Sequence, residues 1–277
     1  MTRYVVYDVF TDTPFGGNQL AVFPDATALP EAQLQSIAAE FNFSEVTFVY
    51  PPRDASHTAR VRIFTPTMEI PFAGHPTIGT AIALSDAGQS SPMVLELGVG
   101  PLICCVSEGK AEFTTTTPFV TEAHPDPALV AAALSLPQDA LRLERHPPVQ
   151  GGVGLAFVLV ELKSRALLSA AQPAVAAIRD GAARYPAGLD FAIFAYVRDA
   201  ARVDARMFAP LDNIPEDPAT GSACAALAAL VADTEPRLSI RQGEDMGRPS
   251  LIETRAAAGN VTVSGRAVRT MEGRLVI

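Results

Sequence analysis

Residues 64–84 read FTPTMEIPFAGHPTIGTAIAL, and residues 208–231 read FAPLDNIPEDPATGSACAALAALV. Each stretch opens on Phe-x-Pro, Phe64-Thr65-Pro66 and Phe208-Ala209-Pro210. Each passes an Ile-Pro step, Ile70-Pro71 and Ile214-Pro215, at a constant offset of 144 residues. Each then reaches a Gly followed by a polar residue, Gly74-His75 and Gly221-Ser222. The segments beyond, Pro76–Leu84 and Ala219–Val231, carry almost no charge on any face. A helix that is apolar all round is buried, and its small residues let other segments approach closely. The matched order reads as an internal duplication: two halves, each with a helix wrapped by strands.

Working outward, short alternating or β-branched runs read as strands: Tyr4–Val9, Val46–Tyr50, Ala59–Phe64, Met93–Leu97, Leu102–Val106, Leu155–Leu162, Phe191–Val197 and Val203–Phe208. Val261–Ser264 and Arg274–Ile277 close the chain in the same way. Two more helices are expected, at Pro30–Phe41 and Gln172–Arg179. The Pro-rich stretch Thr116–Pro127 is the best boundary between the halves. That gives an N-terminal half of 1–117 and a C-terminal half of 118–265, with a final strand at about 266–277 returning to the first.

The chain has 277 residues, 21 basic and 30 acidic side chains, and a formal charge of −9. The acidic balance argues against a nucleic-acid partner, whose phosphates need clustered Lys and Arg. No apolar run approaches the roughly 20 residues that cross a bilayer, and Met1–Phe10 does not read as a signal peptide. A cytoplasmic protein is expected. Cys104, Cys105 and Cys224 are odd in number and make no disulfide framework or metal-site spacing. His57, His75, His124 and His146 are scattered, so no metal is assigned. There is no dinucleotide or phosphate-binding glycine loop and no nucleophile elbow.

Chemistry is expected at the two Gly turns. Helix N-termini present unpaired N–H groups and a positive dipole end, and two facing each other would grip a small carboxylate. Asp217 lies just ahead of the second buried helix; taken alone it reads as a capping aspartate. Glu45 stands where a helix end meets a strand, and alone reads as a solvated turn residue. His75 is a helix-start donor, a proton carrier or a satisfied structural histidine.

Several of these segments together resemble the PhzF-like isomerases. Tyr7-Asp8-Val9-Phe10-Thr11-Asp12 followed by Gly17-Asn18-Gln19-Leu20-Ala21-Val22-Phe23 is similar to that family's opening motif. Ser44-Glu45-Val46-Thr47-Phe48 resembles its catalytic glutamate segment. Phe72–Gly79 and Glu216–Ala223 resemble its two helix-start motifs. Gln242-Gly243 with Met246-Gly247-Arg248-Pro249-Ser250 resembles its late segment.

The resemblance implies an α+β, diaminopimelate-epimerase-like fold: two pseudo-symmetric domains, each a β-barrel-like sheet around a central helix, with the active site between them. It implies a homodimer that uses no metal or organic cofactor. The family's best-known activity isomerises dihydro-3-hydroxyanthranilate during phenazine synthesis. On that pattern Glu45 moves a proton between two carbons, and His75 and Asp217 support the transfer. Asn18, Ser44, Gly74, Gly221 and Ser222 hold the substrate. Related racemases place a Cys before each Gly of the two turns; here those positions are Ala73 and Thr220, so two-thiol racemisation is not available. A buried carboxyl with a tuned pKa can replace the thiols as base. The expected function is therefore cofactor-independent isomerisation of a small carboxylate-bearing substrate by acid/base proton transfer. The alternative is a ligand-binding or regulatory protein that keeps the fold without turnover.

Overall fold

A computed structural model describes residues 1–277. The chain divides into two compact units, Met1–Thr115 together with Thr262–Ile277, and Thr116–Val261. In the first lie β1 (Thr2–Val9), β2 (Asn18–Phe23), α1 (Leu34–Phe41), β3 (Glu45–Tyr50), β4 (Ala59–Phe64), β5 (Glu69–Ile70), α2 (Gly74–Asp86), β6 (Met93–Leu97), β7 (Gly100–Ser107) and β8 (Lys110–Thr115). In the second lie β9 (Val120–Ala123), α3 (Pro127–Ala133), β10 (Val149–Gly152), β11 (Phe157–Glu161), α4 (Arg165–Ala170), α5 (Val175–Arg184), β12 (Ile193–Asp199), β13 (Arg202–Ala209), β14 (Ile214–Asp217), α6 (Gly221–Leu230), β15 (Arg237–Gln242) and β16 (Ser250–Ala257). A long last strand, β17 (Asn260–Leu275), begins in the second unit and runs on into the first.

The first unit is a closed barrel of eight strands around α2. Going round it, β1 pairs antiparallel with β2, β2 parallel with β3, β3 antiparallel with β4, and β4 parallel with β6. β7 and β8 follow as antiparallel neighbours, and β17 closes the ring between β8 and β1. Every residue of α2 from Gly74 to Leu84 is buried. Its two hydroxyls at Thr77 and Thr80 are satisfied, by Ala73 O at 2.8 Å and Thr47 Oγ1 at 3.0 Å, as buried polar groups require. Gly79 is where the helix runs closest to the wall. A Cβ there would lie 2.5 Å from Leu20 Cδ2 and 2.7 Å from Val9 Cγ2. α1 covers the outer face, its Leu34, Ile37 and Ala38 packing with Val6, Phe23, Val46 and Phe48.

The second unit repeats this order. β10 pairs antiparallel with β11, β11 parallel with β12, β12 antiparallel with β13, β13 parallel with β15, and β15 antiparallel with β16. β14 forms a short hairpin with β13, and α6 follows it. In α6 everything from Gly221 to Ala228 is buried. The helices α3, α4 and α5 cover the outer face through Val130, Leu134, Leu168 and Ile178. No helix in the chain is long and apolar enough to cross a membrane.

The structure adjusts several expected boundaries. The helix expected at 30–41 opens as a 3₁₀ turn, Glu31–Gln33, before α1. The one expected at 172–179 begins at Val175, because Gln172 and Ala174 donate instead to Leu134 O and Ala133 O at the end of α3. Phe191 has a left-handed φ of 60°, so β12 starts after it. The two closing strands are one continuous strand, whose Ala267–Leu275 part pairs with β1.

Candidate active site

The site residues of the first unit come together through strand register. Parallel pairing sets Leu20 beside Glu45, so Asn18 and Gln19 at the start of β2 and Glu45 at the start of β3 share one end of the barrel. α1 ends on Asn42 in the left-handed conformation, which turns the chain through Phe43 and Ser44 into β3. His75 reaches the same end because it is the second residue of α2. Its Nδ1 lies 3.1 Å from Glu45 Oε2 and 3.4 Å from Asn18 Nδ2, and its Nε2 lies 3.3 Å from Gln19 O.

These distances fix where the hydrogens sit. Burial holds the His75 imidazole down at a pKa of about 3, partly offset by the Gln19 carbonyl, so the ring is neutral near pH 7. The positive end of α2 acts in the same direction. A carbonyl can only accept, so Nε2 carries the ring proton and donates it to Gln19 O, leaving Nδ1 as an acceptor. Asn18 Nδ2, which can only donate, is the donor to that nitrogen at 3.4 Å, and Glu45 Oε2 stands 3.1 Å from it. The Glu45 side chain retains 12% exposure against 4% for His75, so of the two the carboxyl is open to a ligand.

In the second unit, Asp217 ends β14 and is buried. The cap position of α6 belongs to Thr220, whose side chain makes no cap bond. Its hydroxyl donates to Asp217 Oδ2 at 2.5 Å. Gln242, buried at the end of β15, is fully engaged by the same turn. Its Nε2 donates to Asp217 O at 2.7 Å and to Thr220 Oγ1 at 3.0 Å, and its Oε1 accepts from Thr220 N at 3.1 Å. Ser250 Oγ donates to Pro218 O at 2.8 Å. From the other side Arg206 holds Glu216 by two bonds of 2.8 Å. Gly221 and Ser222 open α6, both buried.

The structure thus gathers Asn18, Glu45 and His75 in one unit, with Ser44 and Gly74 directly beside two of them in the chain, and Asp217, Gly221 and Ser222 along one turn and helix start in the other. The sequence reading missed Gln19, whose contribution is a main-chain carbonyl, and Gln242, Ser250 and Arg206. The signal for Gln242 was present: it shares the inward-facing alternate positions of β15 with Leu238 and Ile240, and a polar residue there needs partners. Ala73 and Thr220 occupy matched cap positions of α2 and α6. Cys224 is one turn inside α6 and fully buried; burial and the Asp217 charge push its thiol far up, away from the thiolate. Burial pushes the Cys104 thiol up to about 12.

Comparison with known proteins agrees across the chain. The family model for phenazine biosynthesis-like proteins, PhzC-PhzF, matches residues 7–273. The trans-2,3-dihydro-3-hydroxyanthranilate isomerase of Pseudomonas aeruginosa is 38% identical, over 99% of both chains. An uncharacterised isomerase of Mesorhizobium japonicum is 36% identical, again over 99% of both. Among solved structures, a Pseudomonas aeruginosa protein described as a predicted epimerase superposes with a TM-score of 0.85 at 29% identity, covering 100% of both chains. The chain belongs to the PhzC–PhzF family of phenazine biosynthesis-like proteins and, with these relatives, to the isomerases.

Proposed function

We propose that this protein moves a proton between two positions of a small carboxylate-bearing substrate, by acid/base catalysis and without a cofactor. The observation that carries the reading is the 3.1 Å contact between Glu45 Oε2 and the acceptor nitrogen of a neutral, buried His75. A carboxyl beside a neutral, buried imidazole takes up and returns one proton without a change in the charge of the ring. Proton transfer by a positioned side chain contributes typically about 10²–10⁴-fold. In this reading Glu45 removes the proton and delivers it to a second carbon. His75, held by Asn18 and the Gln19 carbonyl, stays neutral beside Glu45. Asp217 is the second acid/base group of this reading. The same reading places the protein in the cytoplasm as a homodimer, which sedimentation of the purified chain tests.

The experiment is hydrogen exchange on substrate. The protein is incubated in deuterated water with a panel of small carboxylates that includes trans-2,3-dihydro-3-hydroxyanthranilate, the compound named for the P. aeruginosa relative. Deuterium uptake into one compound, reduced at least ~10²-fold in Glu45→Gln, is the expected result. Saturable binding with no uptake would make the chain a ligand-binding protein. Unchanged uptake in Glu45→Gln would remove Glu45 from the chemistry.

A further inference from the structure

We propose that Thr220 is a positioning residue for Asp217, its hydroxyl locked as a donor by the Gln242 amide. This rests on the reading that Asp217 acts in the reaction. Three atoms decide the direction of the chain. Thr220 N can only donate, and it donates to Gln242 Oε1. That assigns the amide's oxygen, and places its nitrogen toward Asp217 O and Thr220 Oγ1. Thr220 Oγ1 therefore accepts from Gln242, so its own hydrogen is sent to the remaining partner in reach, Asp217 Oδ2 at 2.5 Å.

The result is a one-way sequence of donors, Gln242 Nε2 to Thr220 Oγ1 to Asp217 Oδ2, inside a buried turn. A hydroxyl free to rotate would serve a protonated or an ionised carboxyl equally well. This one accepts from Gln242 with one lone pair and directs its only proton to Asp217 Oδ2. The turn thus holds Asp217 in one rotamer ahead of α6 and favours its ionised form, to which the donated bond is stronger. Thr220 stands at the cap position that matches Ala73 of α2. Ala73 has no hydroxyl, so the device belongs to the second unit alone. Charge-assisted bonds of this kind are short and directional, and a hydrogen bond to the ionised form lowers a carboxyl's pKa.

The test is a carbon-13 NMR titration of the Asp217 carboxyl in the whole, ligand-free protein. In Thr220→Val, which keeps the shape of Thr without the donor, its midpoint rises by about one pH unit or more. In Thr220→Ser it stays within about 0.3 unit of the parent. Thr220→Ala serves as the second donor-free variant if Val disturbs folding, with the same expected rise. A parent-like midpoint in a folded donor-free variant overturns the proposal, whatever its melting temperature. Deuterium uptake by Asp217→Asn separates the two levels. Full uptake there sinks the reading that Asp217 acts, and the positioning role with it. Lost uptake there with an unmoved Thr220→Val titration sinks the positioning role alone.

Discussion

Burial of the His75 ring ties the stability of the first unit to pH. An exposed imidazole titrates near 6.5, whereas the folded protein holds this one at about 3. Between those values the unfolded chain binds a proton that the folded chain refuses. Stability is therefore fully present above about pH 6.5 and falls as pH drops toward 3. The limiting slope is one proton, about 1.4 kcal/mol per pH unit. Urea unfolding between pH 7.5 and 4.5 should show this slope in the parent protein and a shallower one in His75→Gln, which cannot take up the proton. Equal slopes would mean that His75 is already charged in the folded state. At this scale the sequence was partly readable. Glu45 and His75 stood out through their motifs, but the role of Gln19 could not, because any residue supplies a carbonyl.

At the scale of elements, the turn leading to α6 is held from outside by one buried arginine. Arg206 on β13 grips Glu216 on β14 with two bonds. It also donates to Leu168 O, Ser169 O and Ala171 O at 3.0, 3.1 and 2.8 Å, where α4 ends. It thus adds a donor to carbonyls of the last turn of α4, where Leu168 O also accepts from Ala171 N. Replacing Arg206 by Met should cost about 3–5 kcal/mol, because the carboxylate stays behind unpaired. Chemical denaturation measures this. The double variant Arg206→Met, Glu216→Met should recover part of the loss, and no recovery would show that the carboxylate is not the stranded group. None of this was legible in sequence, since the partners of Arg206 lie 10 to 38 residues away. The two central helices were legible, because Gly, Ala, Thr and Ile without a charged face have only one place to go. Strands β15 and β16 were missed for the opposite reason. Their outward positions carry Arg237, Arg241, Glu253 and Arg255, which broke the apolar run that marks a strand to the eye.

For the whole molecule, the decisive element is β17, which fills the gap between β1 and β8. Stopping the chain after Gly265 removes every residue that pairs with β1. The edge of β1 would then be left bare, and bare edges recruit other chains. Hydrogen exchange of the truncated chain should show lost protection in β1 and retained protection in β12 and β13, together with aggregation. Undiminished protection in β1 would mean that the barrel does not depend on its last strand.

That arrangement has a consequence for biosynthesis. When β8 leaves the ribosome the first barrel has every wall but one, and the missing wall lies beyond Val261. At about 5–20 residues per second, the intervening segment takes on the order of ten to thirty seconds to make. Over that interval the second unit can finish folding while the first waits with both edges open. A chaperone that shields β1 and β8 on the nascent chain would act within this window.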